Sequence, residues 1–174
     1  RTMRPIGSVA IIGAGNMGSG IAQKTAQEEF DVQMVDREEQ WVDRGQSIIA
    51  TFLQEAVDRR IFSPGQVEAI QGRITGVVGT ENTAKDTDLV IEAVFEDFDI
   101  KTTVFNTLNE VCGENTILAS NTSSLSVNDL ASASGRPDRF VGLHFFYHPA
   151  KNRLVEVIPG EDTSVETIAR TVQY

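Results

Sequence analysis

Short apolar runs alternate with helical patterns along the whole chain. Val9-Ala10-Ile11-Ile12 reads as a buried strand; Met17, Ile21, Ala22 and Thr25 recur at helical spacing, and Val32-Gln33-Met34-Val35 is a second strand. A longer helix carries Ile48, Ile49, Phe52, Leu53, Ala56 and Val57 on one face. The next helix has a well-signalled start, with Ser63 as N-cap, Pro64 at the first helical position and Gln66 completing a capping box; Gly72 is a suitable stop. Residues 74–78 and 88–94 are predicted strands, and positions 100, 104, 105, 108, 111 and 112 form another helix face. Strands are expected again at 116–119, 139–146 and 154–158. Ser126 with Asp129 caps a short helix ending at Gly135, and Ser164 begins a helix that runs to Tyr174.

This alternation predicts an α/β fold of the Rossmann type, a doubly wound and mostly parallel sheet. One connection departs from the rule. From Phe146 to Leu154 the chain is shorter than the roughly dozen residues a parallel crossover needs, so an antiparallel pair is expected at the end of the sheet. The chain stops inside its last helix, so residues 1–174 are read as one domain truncated at its C-terminal side, the first part of a longer protein.

Composition narrows the partners. A net charge of −10 argues against nucleic acid, which requires a basic face. No apolar run approaches the roughly 20 residues that span a bilayer, so no membrane partner is expected. The basic opening Arg1-Thr2-Met3-Arg4-Pro5 lacks the apolar core of a signal peptide. A single cysteine, Cys112, excludes an internal disulfide and suits a reducing, cytoplasmic setting. No metal site is expected.

Gly13-Ala14-Gly15-Asn16-Met17-Gly18 fits G-x-G-x-x-G, and it sits where that pattern has meaning, directly after a buried strand and at the start of a helix. Gly13 allows the tight turn, Gly15 lets the backbone approach a pyrophosphate, and Gly18 lets helix and strand pack closely. Asn16 and Met17 belong to the same turn, whose free amides and helix dipole suit phosphates. Asp36 lies 23 residues beyond Gly13, at the end of the next strand, where a carboxylate accepts from the adenine ribose and repels a 2′-phosphate. The expected cofactor is therefore NAD, although Arg37 beside it is the residue type that welcomes the phosphate of NADP.

His144 lies near the carboxyl end of a predicted strand, the edge at which open α/β sheets bind ligands. Imidazole titrates near neutrality and suits proton exchange with an alcohol. The antiparallel return brings Glu156, 12 residues on, back toward His144, where a carboxylate would orient the ring and stabilise its protonated form. His148 falls in the loop between them.

Residues 88–97, 118–125, 139–146 and 154–158, together with the glycine turn, resemble in order and spacing the NAD-binding domain of the 3-hydroxyacyl-CoA dehydrogenases, the L-specific β-oxidation type that includes 3-hydroxybutyryl-CoA dehydrogenases. The blocks Ser120-Asn121-Thr122-Ser123-Ser124 and Leu143-His144-Phe145-Phe146 are the most specific to that family. The resemblance implies NAD-dependent interconversion of (S)-3-hydroxyacyl-CoA and 3-oxoacyl-CoA, with His144 and Glu156 as the acid–base dyad. It further implies that Ser123 bonds the substrate 3-oxygen, that Asn121 lines the nicotinamide and acyl pocket, and that Glu96 and Lys101 lie beside the cofactor. A helical C-terminal domain that closes the cleft and forms a homodimer is implied for the full-length protein. Lys101 is also compatible with a solvated helix charge, and Ser123 with a turn that satisfies its own backbone. The family usually reads His-Phe-Phe-Asn-Pro where this chain has His144-Phe145-Phe146-Tyr147-His148-Pro149, so the wall beside the base is altered. Two other readings stay open: another NAD-dependent hydroxyacid dehydrogenase on the same fold, and a non-catalytic NAD-binding relative.

Overall fold

The computed structural model describes residues 3–174, so Arg1 and Thr2 of the basic opening lie outside the described residues. Among these residues seven strands form one sheet in the order β3-β2-β1-β4-β5-β6-β7. They are β1 (Ser8–Ile12), β2 (Asp31–Asp36), β3 (Ile74–Val78), β4 (Leu89–Glu92), β5 (Ile117–Ser120), β6 (Phe140–Phe145) and β7 (Val155–Pro159). The pairs from β3 through β6 are parallel, and β6 with β7 is antiparallel, as the short connection requires.

Among the described residues six α-helices cover the sheet: α1 (Asn16–Gln27), α2 (Glu39–Asp58), α3 (Pro64–Gly72), α4 (Phe98–Val111), α5 (Val127–Ser134) and α6 (Val165–Val172). One core layer packs Val9, Ile11, Met34, Leu89 and Ile91 of the sheet against Ile21, Ala22, Ile49 and Leu53 of α1 and α2. The other packs Ala10, Ile12, Val90 and Leu118 against Phe105, Leu108 and Leu130 of α4 and α5. Adjacent residues of β1 and β4 thus face opposite layers, and both faces are apolar because both are covered.

Local signals explain the helix starts. Ser63 and Gln66 form the expected capping box, with Pro64 opening α3. Ser126 and Ser164 each accept from the amide three residues on, and Gly135 closes α5 at φ +84°.

Several boundaries differ from expectation. The fourth strand ends at Glu92 rather than Val94 because the Val94 amide donates to the Glu92 side chain, turning the chain away from the sheet. The strands β5, β6 and β7 are likewise shorter or shifted by one residue against the expected 116–119, 139–146 and 154–158. Helix α4 begins at Phe98, capped by Asp97, and its rotation leaves Ile100 exposed while Phe105 and Leu108 are buried. The last helix ends at Val172 instead of running to Tyr174, whose ring packs at 5.1 Å from Phe30 and whose hydroxyl meets Thr25 Oγ1 at 2.5 Å.

Candidate functional site

The glycine turn joins β1 to α1 at the carboxyl edge of the sheet. Gly13 holds φ +110°, and a Cβ there would stand 2.6 Å from the Ala93 carbonyl oxygen. A Cβ on Gly18 would be driven into the carbonyl of Gly13, so helix and turn are packed backbone to backbone. Gly15, by contrast, has nothing within 4 Å of a notional Cβ and borders open space. No side chain caps the amino end of α1, and its first turn holds no acid. The free amides and positive dipole end are thus available to an anion.

Asp36 ends β2 beside this turn. Its Oδ2 accepts from the Ala14 amide at 2.9 Å and its Oδ1 from the Arg37 amide at 2.7 Å. Each oxygen keeps a further lone pair. An open approach at Gly15, uncapped amides and a carboxylate fixed at the end of the second strand fit the pyrophosphate and adenine ribose of NAD. The Arg37 side chain is exposed next to it.

A cleft of about 350 Å³ opens beyond the carboxyl ends of β4, β5 and β6. It gathers Met17, Glu96, Lys101, Asn121, Ser123 and His144, which the sequence scatters over 128 positions from residue 17 to residue 144. Met17 links it to the glycine turn; Asp36 and Glu156 lie outside its lining.

His144 stands in β6 directly opposite Glu156 of β7, so their side chains project from the same face. The imidazole packs on Phe146 with ring centroids 4.7 Å apart. No hydrogen bond or ion pair within 4.0 Å joins His144 to Glu156 among the described residues, and Glu156 is exposed. The two are juxtaposed by register rather than bonded.

Lys101 is not a solvated helix charge. It is 2% exposed and pairs with Glu92 Oε2 at 2.5 Å and Glu96 Oε1 at 3.4 Å. Glu96 also accepts from Thr122 Oγ1 at 2.9 Å, the Ser123 amide at 3.0 Å and Ser123 Oγ at 3.2 Å. Burial pushes the Glu96 carboxyl up, but the Ser123 amide, the Thr122 hydroxyl and the Lys101 charge outweigh it and hold the group below its ordinary range. Ser123 therefore serves the turn and borders the cleft at once. Asn121 does more than line a wall: its Oδ1 accepts from the Phe145 amide at 2.8 Å and fixes the end of β6 next to His144.

Glu92 was not legible as a site residue. Its signal was a carboxylate inside the apolar run Leu89-Val90-Ile91, at a position with no exposed surface. The altered loop also has a defined place. Tyr147, 74% exposed, forms one edge of the cleft, His148 packs at a tilt against Phe52 of α2 with ring centroids 4.3 Å apart, and Pro149 seats against Gly20 of α1.

Residues 8–174 match the family described as 3-hydroxyacyl-CoA dehydrogenase, NAD binding domain. A 3-hydroxybutyryl-CoA dehydrogenase of Clostridioides difficile is 40% identical over 159 residues, covering 91% of this chain and 56% of that protein. The fatty acid oxidation complex subunit alpha of Shewanella frigidimarina is 40% identical over 173 residues, covering 98% of this chain and 24% of its own. The crystal structure of (S)-3-hydroxybutyryl-CoA dehydrogenase from Ralstonia eutropha superposes with a TM-score of 0.92 at 38% identity, over 95% of this chain and 58% of that one. The chain thus spans from 24% to 58% of the length of these relatives.

Proposed function

Because the chain belongs to the 3-hydroxyacyl-CoA dehydrogenase family, as its NAD-binding domain, we propose that the full-length protein interconverts (S)-3-hydroxyacyl-CoA and 3-oxoacyl-CoA. The observation that carries this reading is the cleft at the sheet's carboxyl edge, where His144, Ser123 and Asn121 converge with Glu156 opposite His144.

In this reading Gly13, Gly15, Asn16, Met17 and Gly18 hold the cofactor's phosphates, Asp36 its adenine ribose, and Glu96 with Lys101 the cleft side. NAD, when bound, supplies the hydride acceptor. A ring nitrogen of His144 takes the proton of the substrate 3-hydroxyl as the carbonyl forms, and returns it in the reverse direction. Glu156 supplies a negative charge facing the imidazolium, which stabilises it through space. Ser123 Oγ exchanges its bond to Glu96 for one to the substrate 3-oxygen, while the Ser123 amide keeps its tie to Glu96 at 3.0 Å. Asn121 keeps β6 and therefore His144 in register. Tyr147 borders the acyl chain in place of the family's asparagine. The full-length protein is a homodimer in this account.

The test is to follow NADH absorbance with the full-length protein and (S)-3-hydroxybutyryl-CoA, with free 3-hydroxybutyrate in parallel. Turnover of the thioester is expected. Turnover of the free acid alone would favour a different hydroxyacid dehydrogenase, and NAD binding without turnover of either would favour a non-catalytic relative.

A further inference from the structure

Glu92 closes β4 with no exposed surface and lies behind the cleft rather than in its lining. Both of its oxygens are engaged: Oε1 accepts from Ser120 Oγ at 2.6 Å, and Oε2 from Lys101 Nζ at 2.5 Å and the Val94 amide at 2.8 Å. The remaining donors of Lys101 turn toward the Val94 carbonyl at 3.3 Å and Glu96 Oε1 at 3.4 Å. Lys101 is thus an arm from α4 with its charge fully used, and what it holds is Glu96. Glu96 in turn holds Thr122, Ser123 and Ser124.

Stability does not explain this arrangement. Removing both charges from water is costly, and apolar residues of similar volume commonly fill such a space with equal or better stability. The neighbouring core, with Val90, Phe105 and Leu118, is of that kind. Two carboxylates also share one ammonium, which leaves the excess negative charge on the partner that reaches the cleft, Glu96.

We propose that Glu92 is a positioning residue for the cleft: it fixes the Lys101 ammonium and through it sets the Glu96 carboxylate and the turn at 122–124 that presents Ser123. This rests on the reading of Glu96 and Ser123 given above. Glu92 touches neither substrate nor cofactor and acts through geometry alone.

The experiment compares Glu92→Gln, Glu96→Gln and their combination in the full-length protein, by amide hydrogen exchange and by turnover of (S)-3-hydroxybutyryl-CoA. Glu92→Gln is expected to speed exchange in residues 121–125 about tenfold while β1 keeps its protection, because one local constraint is lost and the core is not. Turnover efficiency falls roughly 10²-fold, the scale of a small misplacement at a reacting centre. In the Glu96→Gln background the same change costs nothing further, since the two act through one chain of contacts. Equal loosening of β1 and the turn, or penalties that multiply, would overturn the proposal. Should Glu92→Gln fail to fold, the charge-balanced pair Glu92→Gln with Lys101→Met keeps the test open; fast exchange confined to 121–125 supports the role and wild-type exchange there refutes it. If the wild type turns over no thioester yet Glu92→Gln loosens the turn alone, the functional reading fails while the positioning role stands.

Discussion

His144 and Glu156 occupy paired positions of the antiparallel β6–β7 ladder, facing one another without a bond between their side chains. The juxtaposition is therefore a property of backbone register, and it survives side-chain motion. A negative charge facing an imidazole in this way favours the protonated form that proton abstraction creates. Glu156→Gln is expected to lower kcat about 10²-fold with little change in NAD affinity, within the range that positioned acid–base groups contribute. Steady-state kinetics alongside NADH fluorescence titration checks it.

The glycine turn separates packing from binding. Gly18→Ala forces a methyl into the Gly13 carbonyl and should cost about 1–3 kcal/mol of stability as an overpacked contact. Gly15→Ala meets nothing within 4 Å and should leave the melting temperature unchanged. Its methyl instead occupies the approach to the free amides of α1, so NAD affinity should drop by about tenfold or more, the worth of a charge-assisted hydrogen bond. Thermal melts and NAD titrations of the two variants read these effects independently.

Asp36 ties the end of β2 to the turn through the Ala14 amide. Replacing it with alanine removes both that tie and the charge that repels a 2′-phosphate. NAD binding should weaken by roughly tenfold, and the preference for NAD over NADP should shrink as the exposed Arg37 becomes the dominant local charge. Parallel titrations with both cofactors measure the ratio.

How much of this could be read from the chain depended on whether the signal was local. Ser63, Pro64 and Gln66 specify the start of α3 by themselves, and the short link before β7 dictates an antiparallel pair wherever the chain lies. The link also brings Glu156 back toward His144, and the ladder then pairs the two positions directly. Glu92 was not legible in this way, since its meaning comes from Lys101 nine residues on and Ser120 in the next strand. Ile100 departs from expectation for the opposite reason. Its apolar character continues the periodic face, but the Asp97 cap fixes the helix phase and turns that residue to solvent.

Acid sensitivity should have two sources, Glu96 at the cleft and Asp88 at the opposite edge of the sheet, and Asp88 is the one that can be removed without touching the site. Burial pushes its carboxyl up, but the Gly7 and Ser8 amides, the Ser8 hydroxyl and Arg4 together prevail and hold it below the ordinary 3.8. A folded pKa below the unfolded one means that the stabilisation is present above the unfolded value and disappears as pH falls through the folded one. Denaturation midpoints should thus drop as the pH is lowered below about 4, and Asp88→Asn should make that limb shallower, leaving the Glu96 share, while lowering stability at neutrality.

The role of His144 is tested most directly by His144→Ala in the full-length protein, assayed for oxidation of (S)-3-hydroxybutyryl-CoA and for NAD binding in the same preparation. The account predicts that turnover is lost while NAD affinity stays at the wild-type value, because the glycine turn and Asp36 are untouched. Retained turnover in that variant would contradict it.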